Sequence, residues 1–181
     1  PDPDRYPEQW IEALVAQGRH LSEPAVLFPC NDQTLSLVSR YRDRLEPYFH
    51  KRIPSDEVIT SLLNKSETYQ KAEALGLAVP RHLFLKNEAD LEKVEQTIGF
   101  PCALKPVHSH LWKRYFPSVK LVVVRSKEEL LKQFSNLRGH DLDFLATELI
   151  PGEDTQLYGL YTYLNKEGNP LFVYTKRKLR Q

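Results

Sequence analysis

In the stretch "GFPCALKPVHSH", residues 99–110, Lys105 closes an apolar run and Ser109 follows shortly after it. Taking an ammonium group out of water costs on the order of several kcal/mol unless a partner compensates it. Lys105 therefore either snorkels to a wet strand end or holds an anion. Pro106, directly after it, marks a strand end or edge and leaves both readings open. A second lysine, Lys65, opens a helix in "NKSETYQKAEALGLAVP". Its charge there adds to the positive end of the helix dipole, a pairing suited to phosphate, although an exposed lysine beside a cap is also commonplace.

Two further places carry chemically capable residues. "TELIPGED" sets Glu148, Leu149 and Ile150 before a Pro-Gly turn signal, with Glu153 and Asp154 after it; a plain surface turn would read the same way. "YTKRKLRQ" is a basic run on a strand, whose alternation puts Lys176, Lys178 and Arg180 on one face and Arg177 with Leu179 on the other. The first three form an anion-binding face, a nucleic-acid patch or a solvated strand edge.

Other chemistries are excluded. His108 and His110 flank Ser109 without an acid at readable spacing, which argues against a Ser-His nucleophile. Cys30 and Cys102 each sit beside a proline at the margin of an apolar run, with no metal-ligand spacing, and read as two small buried thiols. No metal site is expected from these residues. With 25 basic residues against 24 acidic ones the net charge is +1, which disfavours a nucleic-acid partner and a membrane surface. No apolar run reaches membrane-spanning length, and "PDPDRYPEQW" has no leader layout, so a cytoplasmic protein is expected. The chain holds no methionine and stops within a strand-like segment, so it is expected to be a fragment of something longer.

These residues need elements to position them. "PEQWIEALVAQG" reads as a helix with Trp10, Ile11, Leu14 and Val15 on one face and Gly18 as its left-handed stop. "PAVLFP" is a short buried strand, and a helix capped by Asn31 or Asp32 follows, with Leu35, Val38 and Arg42 in its period. Asn64 and Glu67 form a capping-box-like start for the helix opening at Lys65, whose inward stripe is Tyr69, Ala72 and Leu75 up to Gly76. From residue 79 the order reads strand, helix capped by Asn87, strand bearing Lys105, loop, strand, helix capped by Ser126, strand, then a hairpin. The class is α/β (α+β).

With these elements in place, three features in order over residues 60–181 resemble the ATP-grasp superfamily. They are a lysine opening a helix that runs into "GLAVP", the "GFPCALKP" lysine strand with Ser109 beyond it, and "TELIPGED". Within that superfamily the pattern looks most like carboxylate-amine ligases and carbamoyl-phosphate synthase large subunits. The resemblance implies residues 1–59 as the end of a Rossmann-like domain preceding the grasp, a lid at about 79–146 and the start of the main grasp sheet at 147–181.

The resemblance also implies ATP as ligand, held by Lys65, Lys105 and Ser109 at the phosphates. Glu148, Leu149 and Ile150 would line adenine, Asp154 or Glu153 would hold ribose, and Lys176, Lys178 and Arg180 would face the γ-phosphate or a carboxylate. The whole protein would then join a small carboxylate and an amine through an acyl phosphate, with magnesium ligands beyond Gln181. A nucleotide-binding module that has lost chemistry is the alternative. One departure stands out: members of the family carry glycines after the serine, where this chain has "HLWKRYFPS". Lys113 and Arg114 could supply charges there in place of backbone amides, or the loop could recognise something bulkier, with Trp112, Tyr115 and Phe116 read as packing.

Overall fold

The structure is a computed structural model describing residues 1–50 and 53–179, with Asp154 described by its backbone alone. It divides into two compact units, residues 1–148 and 149–181.

The first unit opens with helix α1 (Pro7–Gly18), strand β1 (Ala25–Val26), helices α2 (Asp32–Arg40) and α3 (Arg42–Leu45), and strand β2 (Phe49–His50). β1 and β2 pair in parallel, and Ile11, Val15, Leu37, Val38, Leu45 and Phe49 form their core. The expected apolar face of α1 is there, with Ile11 and Val15 buried. Gly18 is not a left-handed stop. It lies inside α1, where an added methyl would overlap Tyr48 Cβ and sit 2.7 Å from its Cγ. The glycine lets the chain at Tyr48 come close. Asn31 is the N-cap of α2, accepting from Thr34 N at 2.8 Å. Arg42 does not continue that helix; it opens α3.

Helices α4 (Asp56–Leu63) and α5 (Lys65–Ala74) meet at Asn64, whose Oδ1 accepts from Glu67 N at 3.2 Å. Of the expected α5 stripe, Tyr69 and Ala72 are half-buried. Leu75 is 77% exposed, because the helix has already ended at Ala74 and Gly76 turns the chain away with φ +72°.

Beyond α5 come β3 (His82–Phe84), α6 (Glu88–Thr97), β4 (Cys102–Pro106), α7 (Ser109–Lys113), β5 (Val122–Val124), α8 (Lys127–Arg138) and β6 (Phe144–Glu148). The strands make one antiparallel sheet in the order β3-β6-β4-β5. Alternation divides its faces. Cys102, Leu104, Phe144 and Ala146 join Leu91 and Val94 of α6 and Leu130, Phe134 and Leu137 of α8 in a buried core. Ala103, Lys105, Leu145 and Thr147 occupy the other face.

The second unit holds a 3₁₀ turn (Asp154–Gln156) and a hairpin of β7 (Tyr158–Leu164) and β8 (Pro170–Arg177). Nearly all of its strand residues are exposed.

Candidate functional site

Lys105 lies near the end of β4, an interior strand. It pairs with Leu145 of β6, while β5 reaches only as far as Leu104 on the other side. Pro106 pairs with Phe144, so the donor it lacks faces a side where β5 has already ended. The ammonium group therefore projects from the sheet face opposite the α6–α8 core, where the strand edge opens. Lys105 is half-buried, and its ammonium group has no hydrogen-bond or ion-pair partner among the described residues. Burial pushes its pKa below the ordinary lysine range.

Lys65 reaches the same place from a distant part of the chain. Its backbone N–H donates to Val107 O at 3.2 Å, fastening the start of α5 to the residue just past β4. Its Nζ donates to Ser109 Oγ at 2.6 Å. Its pKa is also lowered, first by burial, then opposed by Asp32 and reinforced by the charges of Lys105 and Lys113. No carboxylate makes an ion pair with either lysine among the described residues. Two partly desolvated cations and a hydroxyl thus converge, and an anion is the ligand that would compensate them.

The segment after Lys105 is not an open loop. Ser109 to Lys113 form α7, and Trp112 is 1% exposed, donating from Nε1 to Val119 O at 2.7 Å. Trp112 and Phe116 pack against one another with ring centroids 4.9 Å apart, as the packing reading expected, but Tyr115 is 51% exposed. Arg114 forms an ion pair with Asp4 at 3.5 Å. α2 packs against α7, and Asp32 at its start acts on both Lys65 and His110. Sequence reasoning missed Asp32 as a neighbour of this site, since no local pattern connects it with residues so far along the chain.

Of the remaining expected site residues, Glu148 ends β6 and the others belong to the second unit. The Glu148 carboxylate accepts from Arg81 N at 2.9 Å and Arg81 Nε at 2.7 Å, pinning the end of β6 to the start of β3. In the second unit Leu149 and Ile150 are exposed, and Glu153 is exposed with its N–H donating to Gln156 Oε1 at 3.2 Å. The side chain of Asp154 lies outside the described residues, as does Arg180. Lys176 Nζ lies 4.8 Å from the centre of the Tyr161 ring. Lys178 stands just beyond β8, its N–H donating to Leu157 O at 2.9 Å. Cys102 is buried as expected, whereas Cys30 is exposed, because the chain leaves β1 four residues earlier and runs over the surface toward the Asn31 cap.

A cleft of about 600 Å³ lies beside the lysines, lined by α5 residues including Glu67 and Glu73, by His82 and Phe84, and by His108 and Asp143. Its carboxylates would repel phosphate, and Lys65, Lys105 and Ser109 are not among its lining residues. The phosphate-compatible place is the lysine cluster. Among the described residues no group of three or more His, Cys, Asp or Glu side chains could hold a metal ion. No described residue is assigned to magnesium, and no step is routed through it. No helix among them is long and apolar enough to cross a membrane.

No family model matches the chain. It is 25% identical to a D-aspartate ligase of Enterococcus faecium (strain Aus0004) over 154 residues, 81% of this chain and 36% of that protein. Over 92 residues it is 30% identical to a D-alanine–D-alanine ligase of Ectopseudomonas mendocina (strain ymp), covering 51% of this chain and 28% of the relative. The chain thus spans about a third of the length of these curated relatives. Its fold is similar to N5-carboxyaminoimidazole ribonucleotide synthetase from Thermus thermophilus, with a TM-score of 0.64, 19% identity, and coverage of 89% of this chain and 39% of that one. An ADP complex of the same kind of enzyme gives a TM-score of 0.64 at 13% identity, over 91% of this chain and 39% of that one. Sequence relatives, fold neighbours and the lysine-strand motifs converge, and the chain is similar to ligases of the ATP-grasp superfamily.

Proposed function

We propose that this chain binds the polyphosphate of ATP through Lys65, Lys105 and Ser109, as the nucleotide-binding portion of a ligase that joins a small carboxylate to an amine. The observation that carries the reading is the convergence of two half-buried lysines, 40 residues apart in sequence, with no carboxylate paired to either among the described residues. Such an arrangement is unfavourable in the empty protein and becomes favourable when an anion fills it. In phosphoryl transfer, cations in this position neutralise charge that builds on the transferring group and the departing diphosphate. The carboxylate would accept the γ-phosphoryl group, and the amine would displace phosphate from the acyl phosphate to give an amide.

The sequence relatives join D-aspartate or D-alanine, and an amino acid is therefore the substrate class to try first. The roles of Glu148, Leu149, Ile150, Glu153 and Asp154 toward adenosine, and of Lys176 and Lys178 toward an anion, rest on the family resemblance. The Glu148 carboxylate is held by Arg81 and the Glu148 N–H donates to Arg81 O at 2.9 Å, so both groups are already engaged. A second reading, a nucleotide-binding module without chemistry, is favoured by the replacement of a glycine-rich loop with α7.

Thermal unfolding with ATP, ADP, AMP and adenosine tests the phosphate reading. ATP and ADP should raise Tm, and AMP and adenosine should leave it nearly unchanged. An equal shift with adenosine, or none with any of the four, would contradict it.

A further inference from the structure

After Ser109 this chain has the short helix α7, whose first N–H groups, those of Ser109, His110 and Leu111, have no intrahelical acceptor. Side chains of the same segment can add donors to these at the outer phosphates. Three basic residues follow Ser109 closely, and their surroundings differ. His110 is held neutral, its pKa lowered chiefly by burial and by His108, and its buried Nδ1 has no hydrogen-bond partner. Arg114 is committed to Asp4 at 3.5 Å. Lys113 is exposed and has no hydrogen-bond or ion-pair partner among the described residues.

Lys113 is also the residue that helical geometry brings to Ser109. The two stand at i and i+4 of α7, neighbours on one face. Ser109 Oγ in turn accepts from Lys65 Nζ at 2.6 Å, and the charge of Lys113 reaches Lys65. We propose that Lys113 is a third phosphate-binding residue, an exposed cation that adds its charge to those of Lys65 and Lys105 at the outer phosphates. This inference rests on the nucleotide reading above and adds to it a residue that the shared motif does not contain. Because Lys113 is exposed, its contribution weakens with salt, whereas that of half-buried Lys105 persists.

Trp112, buried on α7, gives a fluorescence signal beside the site, with Trp10 as the only other tryptophan of the chain. The test is titration of ATP at low and high salt into the 181-residue chain and its Lys113→Gln, Arg114→Gln and Lys105→Ala variants. Lys113→Gln should weaken binding about five- to tenfold at low salt and flatten the salt dependence. Arg114→Gln should stay within about twofold. Binding by Lys113→Gln equal to the parent, while Lys105→Ala weakens, would overturn the role of Lys113 and leave the nucleotide reading standing. An Arg114→Gln loss as large as that of Lys113→Gln would also overturn it, by showing a nonspecific charge effect. No binding, or binding indifferent to Lys105→Ala, would overturn the nucleotide reading and this inference together.

Discussion

At the scale of single residues, what a side chain can do follows from what surrounds it. Cys102 and Cys30 make the contrast plain. Burial pushes the Cys102 thiol up to about 11, so almost no thiolate forms at neutral pH, while Cys30 is exposed. Iodoacetamide at pH 8, read by mass spectrometry, should label Cys30 in the native chain and reach Cys102 only in denaturant. Equal labelling of both would contradict the buried β4.

His110 is the titrating group beside the site. Burial lowers its pKa most, His108 and Arg114 lower it further, and Asp32 and Asp4 oppose them. In the unfolded chain an imidazole takes up its proton near pH 6.5, before the folded chain does. Stability is therefore fully present above about pH 6.5 and is lost as pH falls from there toward the lower folded pKa. Tm measured from pH 7.5 to 5 should fall less steeply in His110→Gln than in the parent chain. Identical slopes would contradict the assignment. The lysines were legible in the sequence because apolar flanks and neighbouring motifs mark them. Asp32 was not, because only the packing of α2 on α7 brings it near.

At the scale of elements, local chemistry was readable and non-local approach was not. Asn31, Asn64 and Ser126 announce helix starts through short side-chain to backbone bonds, and each cap is present. β2 and α3 went unread, since two- and four-residue elements carry no periodicity. Gly18 read as a helix stop because glycine commonly is one; its actual reason, the closeness of Tyr48, lies 30 residues away. The two explanations predict opposite signs. Within an unobstructed helix, Gly→Ala stabilises by roughly 1 kcal/mol. Here the new methyl meets Cβ and Cγ of Tyr48, atoms too near the backbone to swing aside, and overpacking of that kind costs about 1–3 kcal/mol. Gly18→Ala should lower stability in urea denaturation; a gain would contradict the close approach.

At the scale of the whole molecule, the four-stranded sheet has one face packed on helices and another that carries Lys105. α6 and α8 cover the first with Leu91, Val94, Leu130, Phe134 and Leu137. The second presents Lys105, where β5 falls short, and α5 brings Lys65 to it through the bond to Val107. The sheet order β3-β6-β4-β5 placed β4 inside, so that a lysine at its end is half-buried rather than rim-exposed. That order could not be deduced from strand patterns alone, because several pairings of four short apolar strands bury the same residues. The most direct measurement is calorimetric titration of ATP into the 181-residue chain and into Lys105→Ala. Binding by the parent that is weakened at least about tenfold in the variant is the predicted result. Equal binding by both, with the variant folded, would show that Lys105 is a strand-end lysine with no ligand and would contradict the account.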